Sequence, residues 1–231
     1  MRLRVREFIQ AIKCVKTIVN FKGMLRCLDV GCGSGIHSYI LKKLGKKIIA
    51  LDITCSTIFY LENFMQASAE YLPFRNEVFD IVLASHMLEH VKRKTKALLE
   101  LKRVLKPHGI LIAITPTTLF KCLTLLLWPR DLIIEIFRLN YGKALTINKL
   151  IKSISPKLHG SFSSHKYELA FYRTYTWRNM LKKVGFQILY EKPLFPYYFS
   201  IPLNVIAHFM YVKLLNLTTS YLFICSNVES K

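Results

Sequence analysis

The chain has 231 residues, 52% of them hydrophobic and 13% aromatic, which excludes a disordered polymer and suffices for one α/β domain with a buried core. With 34 Lys and Arg against 14 Asp and Glu, the net charge of +20 favours anionic partners: nucleic acid, an acidic membrane face or a phosphorylated substrate. The six cysteines form no CxxC pair and no Cys/His cluster with zinc spacing. No metal site is therefore expected, and the free thiols suit a reducing, cytoplasmic setting.

The N-terminus is basic and lacks the long apolar run of a signal peptide. Apolar positions at helical spacing predict an amphipathic helix within residues 1–24. Leu25–Val30 reads as a buried strand, and three glycines on alternate positions follow it, Gly31, Gly33 and Gly35, in LDVGCGSG. Ser34–Leu44 is a helix ended by Gly45, and Lys47–Asp52 (KIIALD) a strand ending in an acid. Thr54–Met65 fits a second helix, with Thr54 or Ser56 as its cap, and Ala67–Phe74 (ASAEYLPF) a loop. Phe79–Ser85 (FDIVLAS) is a strand with an unbroken apolar centre. Thr95–Leu105 is a helix closed by KPHG, Lys106–Gly109, and Ile110–Thr115 a strand stopped by Pro116.

Beyond Pro116 the pattern weakens. Residues 117–165 read as an apolar stretch and then a polar, basic lid, the region of the acceptor. Thr176–Val184 is a short helix, and Phe186–Glu191 and Thr218–Cys225 are strands. Between them lies an apolar insertion at 193–215, too broken by Pro193, Pro196 and Pro202 to cross a membrane. Strands alternating with helices about every 25 residues predict βαβ units and a parallel sheet buried on both faces.

A glycine-rich turn between strand and helix leaves room for a ligand at a helix start with free N–H groups. Asp52, at the end of the next strand, stands where a carboxylate accepts from ribose hydroxyls. This pair points to an adenosine cofactor without separating a nicotinamide from another. The spacing G-x-G-x-G, with Ile36 directly after Gly35, departs from the G-x-G-x-x-G of a dinucleotide turn.

The set LDVGCGSG, ALDIT, ASAEYLPF, FDIVLASHMLEHV and RVLKPHGILIAITP resembles the class I S-adenosylmethionine-dependent methyltransferases, nearest the branch of ubiquinone and menaquinone biosynthesis. The match covers 25–116, with a weaker echo at Tyr172–Phe186. The resemblance implies a Rossmann-like, doubly wound, mostly parallel seven-stranded sheet with an antiparallel terminal hairpin, in one domain over 1–231, residues 166–231 completing the sheet. It also implies S-adenosyl-L-methionine as cofactor. Asp29, Gly31, Gly33 and Gly35 match the turn around its methionine part, Asp52 the ribose acid, Ile53 the adenine flank, and Ala69 and Glu70 the adenine loop. Ala84 and Ser85 match the edge of the methionine site, and His90 the recurrent LEH histidine. Ser68 stands where many relatives have an acid.

Transfer from a sulfonium needs alignment more than acid–base help. If a base is used, His37, His86, His90 and His165 are the candidates, and His86, just after the FDIVLAS strand, is the first choice. The expected acceptor is a small or lipid-like molecule, with peripheral contact to an anionic membrane. An RNA or protein acceptor, and a cofactor-binding protein without turnover, are the alternative readings.

Overall fold

The computed structural model describes residues 2–19, 23, 26–55, 57, 59, 61–122, 125, 158–194 and 220–228. In chain order its elements are α1 (Arg2–Ile18), β1 (Arg26–Val30), α2 (Ile36–Lys43), β2 (Lys47–Asp52), β3 (Phe64–Gln66), β4 (Phe79–Ser85), α3 (Lys94–Val104), β5 (Leu105–Pro116), α4 (His165–Phe171), α5 (Thr174–Lys183), β6 (Phe186–Leu194) and β7 (Ser220–Asn227). A single 3₁₀ turn, Leu88–His90, follows β4.

Seven strands form one sheet in the order β3-β2-β1-β4-β5-β7-β6. The pairs β1–β2, β1–β4, β2–β3 and β4–β5 are parallel, and β7 runs antiparallel between β5 and β6. The fold is thus the Rossmann-like, mostly parallel sheet with an antiparallel terminal hairpin.

The apolar runs explain the layering. Along β4, Ile81 and Leu83 face one helix layer, while Val82 and Ala84 face the other. Along β5, Ile110, Ile112 and Ile114 alternate in the same way with Leu111 and Ala113. Phe8, Ala11, Ile12 and Val15 of α1 and Leu41 of α2 cover the first face. Leu98 and Leu101 of α3 with Trp177 and Leu181 of α5 cover the second. A sheet buried on both faces needs such continuous apolar strands.

Two expectations are corrected. Thr54–Met65 is not a helix among the described residues, and it ends in the edge strand β3. Its backbone joins β2 instead: Ala50 N–H donates to Asn63 O at 2.9 Å, and Ala67 N–H to Asp52 O at 3.0 Å. The open edge of β2 outweighs local helical spacing there. KPHG is not a separate cap, because β5 begins at Leu105 and passes through it with His108 at φ 60°. β6 also runs past its expected end through Pro193 to Leu194, which an edge strand tolerates. Helix α4 was not foreseen. Most of the expected lid and nearly all of the insertion at 193–215 lie outside the described residues.

The hairpin is anchored at one end and along β6. Asn227 Nδ2 donates to the carbonyls of Lys102, Leu105 and Lys106 at 3.3, 2.9 and 3.2 Å. Arg178 of α5 holds both oxygens of Glu191 on β6, at 2.7 to 3.1 Å. Phe223 lies fully buried on β7, inside the sheet. Phe223→Ala is expected to cost about 3–5 kcal/mol in chemical denaturation. A loss below about 1 kcal/mol would show that β7 adds little to the core.

Candidate active site

The parallel strands β1, β2 and β4 all end at the same edge of the sheet, so their following loops meet there, the usual ligand crevice of such folds. The turn after β1 is strapped to β2: the N–H groups of Gly31 and Cys32 both donate to Leu51 O, at 2.7 and 3.1 Å. Gly31 sits at φ 72°, and a Cβ there would come within 2.4 Å of Met87 Cβ, so only glycine fits. At Gly33, φ 50°, an added Cβ would meet nothing within 4 Å, which marks open space above the turn.

That space is a cavity of about 660 Å³, within the range of cofactor sites. Of the residues singled out in the sequence, Gly31, Gly33, Asp52, Ile53, Ala69, Glu70, Ser85 and His86 line it, as does Ser68. Asp29, Gly35 and Ala84 do not. Asp29 and Ala84 are buried within β1 and β4, and Gly35 precedes α2 at φ 79° against Leu61.

Asp52 closes the turn. Its Oδ2 accepts from Gly33 N–H at 2.8 Å, and its Oδ1 from the N–H and hydroxyl of Thr54 at 3.0 and 3.2 Å. A carboxylate has further lone pairs for a ligand's hydroxyls. Ser68 Oγ accepts from Glu70 N–H at 3.2 Å, while the Glu70 carboxylate holds Arg93 at 2.6 Å. Glu70 therefore fixes the loop onto the start of α3. Ile53 is 67% exposed, an apolar face open to a flat ring.

Two of the unpartnered buried oxygens among the described residues belong to Asp29 and Ser85. Asp29 Oδ2 accepts from the Ser38 hydroxyl at 2.6 Å, but Oδ1 has no partner, and neither has Ser85 Oγ at the end of β4. Burial pushes the Asp29 carboxyl up to about 6, against the pull of Ser38. An unpartnered buried oxygen costs free energy unless a ligand uses it. The donor set fits an adenosine cofactor carrying an amino-acid tail, with Asp52 for the ribose and an anionic acceptor behind the glycines for an ammonium group.

The histidines depart from expectation. His86 stands at φ 51° just past β4, its N–H donating to Ile114 O at 2.9 Å. Its Nε2 is 3.2 Å from both oxygens of Glu7 on α1, and its Nδ1 is 3.6 Å from Glu89. Burial alone would lower this imidazole, but the hydrogen bond and charge of Glu7, and then Glu89, outweigh it and hold it up at about 9. A protonated ring has no lone pair to take a proton, so the two carboxylates oppose the base role expected of His86 and favour an ionic bridge between α1 and the cavity wall. His37 is buried, which lowers it to about 4. His90 lines the cavity, and His165 lies 3.6 Å from Glu168, on α4.

Arg4 of α1, Lys92 and Met87 also line the cavity, and the sequence assigned none of them to the cofactor. The Arg4 backbone bonds the His37 ring, and Phe8 packs on that ring at 4.4 Å, so α1 forms one wall. Glu89, His90 and His159 offer ligand atoms within 4.8 Å of one another and could share a cation, a grouping that only the fold creates. Among the described residues, no helix is long and apolar enough to cross a membrane.

The Asp29 carboxyl makes a pH prediction. It keeps its proton up to about pH 6 in the folded chain, while its ordinary value is 3.8. The folded state binds more protons between these values, so stability falls as pH rises through that window, by on the order of 2–3 kcal/mol for this group. In denaturant midpoints of the ligand-free protein from pH 4 to 7, Asp29→Asn should remove that part of the fall. An identical profile in the variant would place the effect elsewhere.

Known proteins resemble this arrangement. The family profile described as "Methyltransferase domain" matches residues 28–113. Ubiquinone biosynthesis O-methyltransferase of Rhodopseudomonas palustris (strain TIE-1) is 31% identical over 123 residues, 47% of this chain and 49% of that protein. Malonyl-[acyl-carrier protein] O-methyltransferase of Buchnera aphidicola is 32% identical over 91 residues, 37% of each. The chain thus spans half or less of the length of these curated relatives. Among solved structures, an S-adenosylmethionine-dependent methyltransferase from Mesorhizobium loti shares the fold at a TM-score of 0.58 and 15% identity, covering 93% of this chain and 96% of that one. One from Aquifex aeolicus shares it at 0.56 and 16%, covering 94% and 89%.

Proposed function

We infer that this chain, which by fold and matched core belongs to the class I S-adenosylmethionine-dependent methyltransferases, transfers the methyl group of that cofactor to a small or lipid-like acceptor. The observation that carries the reading is one cavity lined by the strapped glycine turn and Asp52, with the half-satisfied Asp29 buried in β1 two residues before that turn. When bound, S-adenosylmethionine supplies a methyl group already activated on a sulfonium.

The chain's own groups bind and orient. Asp52 accepts from the ribose hydroxyls, and Ile53 with Ala69 flanks the adenine. The N–H groups and open space of the turn take the amino-acid tail, whose ammonium pairs with Asp29. Arg4, on the wall that α1 forms beside His37, pairs with the tail's carboxylate. Ser85 at the end of β4, with Met87 and His90 beyond it, walls the side from which an acceptor approaches. No side chain here needs to remove a proton from an acceptor that is already acidic, and rate then depends on alignment. The O-methyltransferase relatives and the apolar runs at Leu119–Phe137 and Pro193–Val212 support a small or lipid-like acceptor; the basic charge supports contact with anionic surfaces.

Two measurements test this. S-adenosylmethionine should raise the thermal midpoint and NAD should not, since a ligand of the native state stabilises by mass action. Stabilisation by NAD alone would end the reading. Arg4→Ala should weaken S-adenosylhomocysteine about ten-fold by calorimetry while leaving 5′-methylthioadenosine, which lacks the amino-acid tail, within about two-fold. Equal losses for both ligands would make Arg4 a packing residue only.

A further inference from the structure

Beside the cofactor cavity, a second opening of about 820 Å³ runs between the first turns of α3 and the segment leading into α4. Leu99, Phe162, Phe171 and Met180 give it an apolar floor, and Leu99 is 51% exposed. Lys92 and Lys96 line it, the Lys96 ammonium resting over the Tyr71 ring at 3.2 Å, and Lys92 lines the cofactor cavity as well, so the two openings adjoin there.

The third lysine of this wall is unusual. Lys94 is buried, and its Nζ donates to Val91 O at 2.7 Å and to Ser161 Oγ at 2.9 Å, over the rings of Phe162 and Phe171 at 4.5 and 5.1 Å. Among the described residues no carboxylate lies within ion-pairing distance of it. Its neighbour Arg93 is already committed to Glu70 and Tyr71, at 2.6 and 2.9 Å. Glu89 and Glu70 act on this ammonium through their charge, but its direct contacts are neutral acceptors and aromatic faces, and with Lys92 and Lys96 beside it the wall stays positive over an apolar floor. That field and floor complement one chemistry, an anionic head on an apolar chain.

We propose that this groove is a binding site for a phosphate-bearing amphiphile, its phosphate at Lys92 and Lys96 and its chain along Leu99, Phe162 and Met180. It leads an acceptor of that class to the cavity at Lys92. The delivery of an acceptor rests on the methyl-transfer reading, whereas binding in the groove does not.

The probes are monododecyl phosphate below its micellar concentration, neutral dodecyl maltoside, inorganic phosphate, and phosphatidylglycerol vesicles, with S-adenosylhomocysteine run in parallel. Monododecyl phosphate should bind about ten-fold tighter than either dodecyl maltoside or inorganic phosphate. Lys96→Gln and Leu99→Glu should each weaken it about five-fold or more, both variants first shown to unfold at the wild-type midpoint. Vesicle binding lost in the same variants assigns the phosphate to a lipid surface; binding of the monomer alone assigns it to a free acceptor. Equal affinity for the neutral amphiphile, or unchanged affinity in both variants, overturns the proposal. Failure here with S-adenosylhomocysteine still bound leaves the methyl-transfer reading standing, and loss of S-adenosylhomocysteine binding alone removes that reading instead.

Discussion

The structure depends on the strap between the turn after β1 and the end of β2. Two N–H groups, of Gly31 and Cys32, share Leu51 O, and Asp52 immediately beyond it takes Gly33 N–H. These bonds hold the glycines at positive φ with their backbone facing the cavity, where any larger residue at Gly31 would strike Met87. The strap exists because β1 and β2 run parallel and end at one edge, and they do so because Cys27, Leu28, Ile48 and Leu51 have to be buried between two helix layers. Core packing thus fixes the place and shape of the site.

The second constraint is electrostatic and joins the matched core to a helix outside it. Glu7, His86 and Glu89 form a buried chain of alternating charge between α1 and the segment after β4. Removing one member would strand a charge in the interior, which costs more than the pair contributes when intact. This chain sets α1 against the cavity and brings Arg4 to its wall. The helix that reads in the sequence as an amphipathic surface element is therefore a structural side of the site.

Legibility followed sequence separation. The glycine turn, Asp52 and FDIVLAS are local patterns, in which residue type, spacing and strand end coincide, and the fold class followed from their alternation. Arg4 and Glu7 carried no local signal. Glu7 meets His86 across 79 positions, and in the sequence it is one acid on a basic helix. The same distance hid the charge state of His86: its position beside the site was readable, its two carboxylate neighbours were not. The Thr54–Met65 helix failed for the converse reason, since its spacing was helical but the unpaired edge of β2 lay close enough to recruit Phe64–Gln66. Lys94 is one charge in the basic run Lys92–Lys96, and only packing of the Ser161–Phe171 segment over it makes it a buried cation.

The central claim is that the adenosine cofactor lies along this one cavity with its ribose at Asp52 and its amino-acid tail between Asp29 and Arg4. A crystal structure of the chain with S-adenosylhomocysteine tests it most directly. The account predicts ribose hydroxyls on the Asp52 carboxylate, the ammonium within hydrogen-bond reach of Asp29 Oδ1 and the carboxylate on Arg4. An adenosine bound elsewhere, or a tail pointing away from the glycine turn, would contradict it.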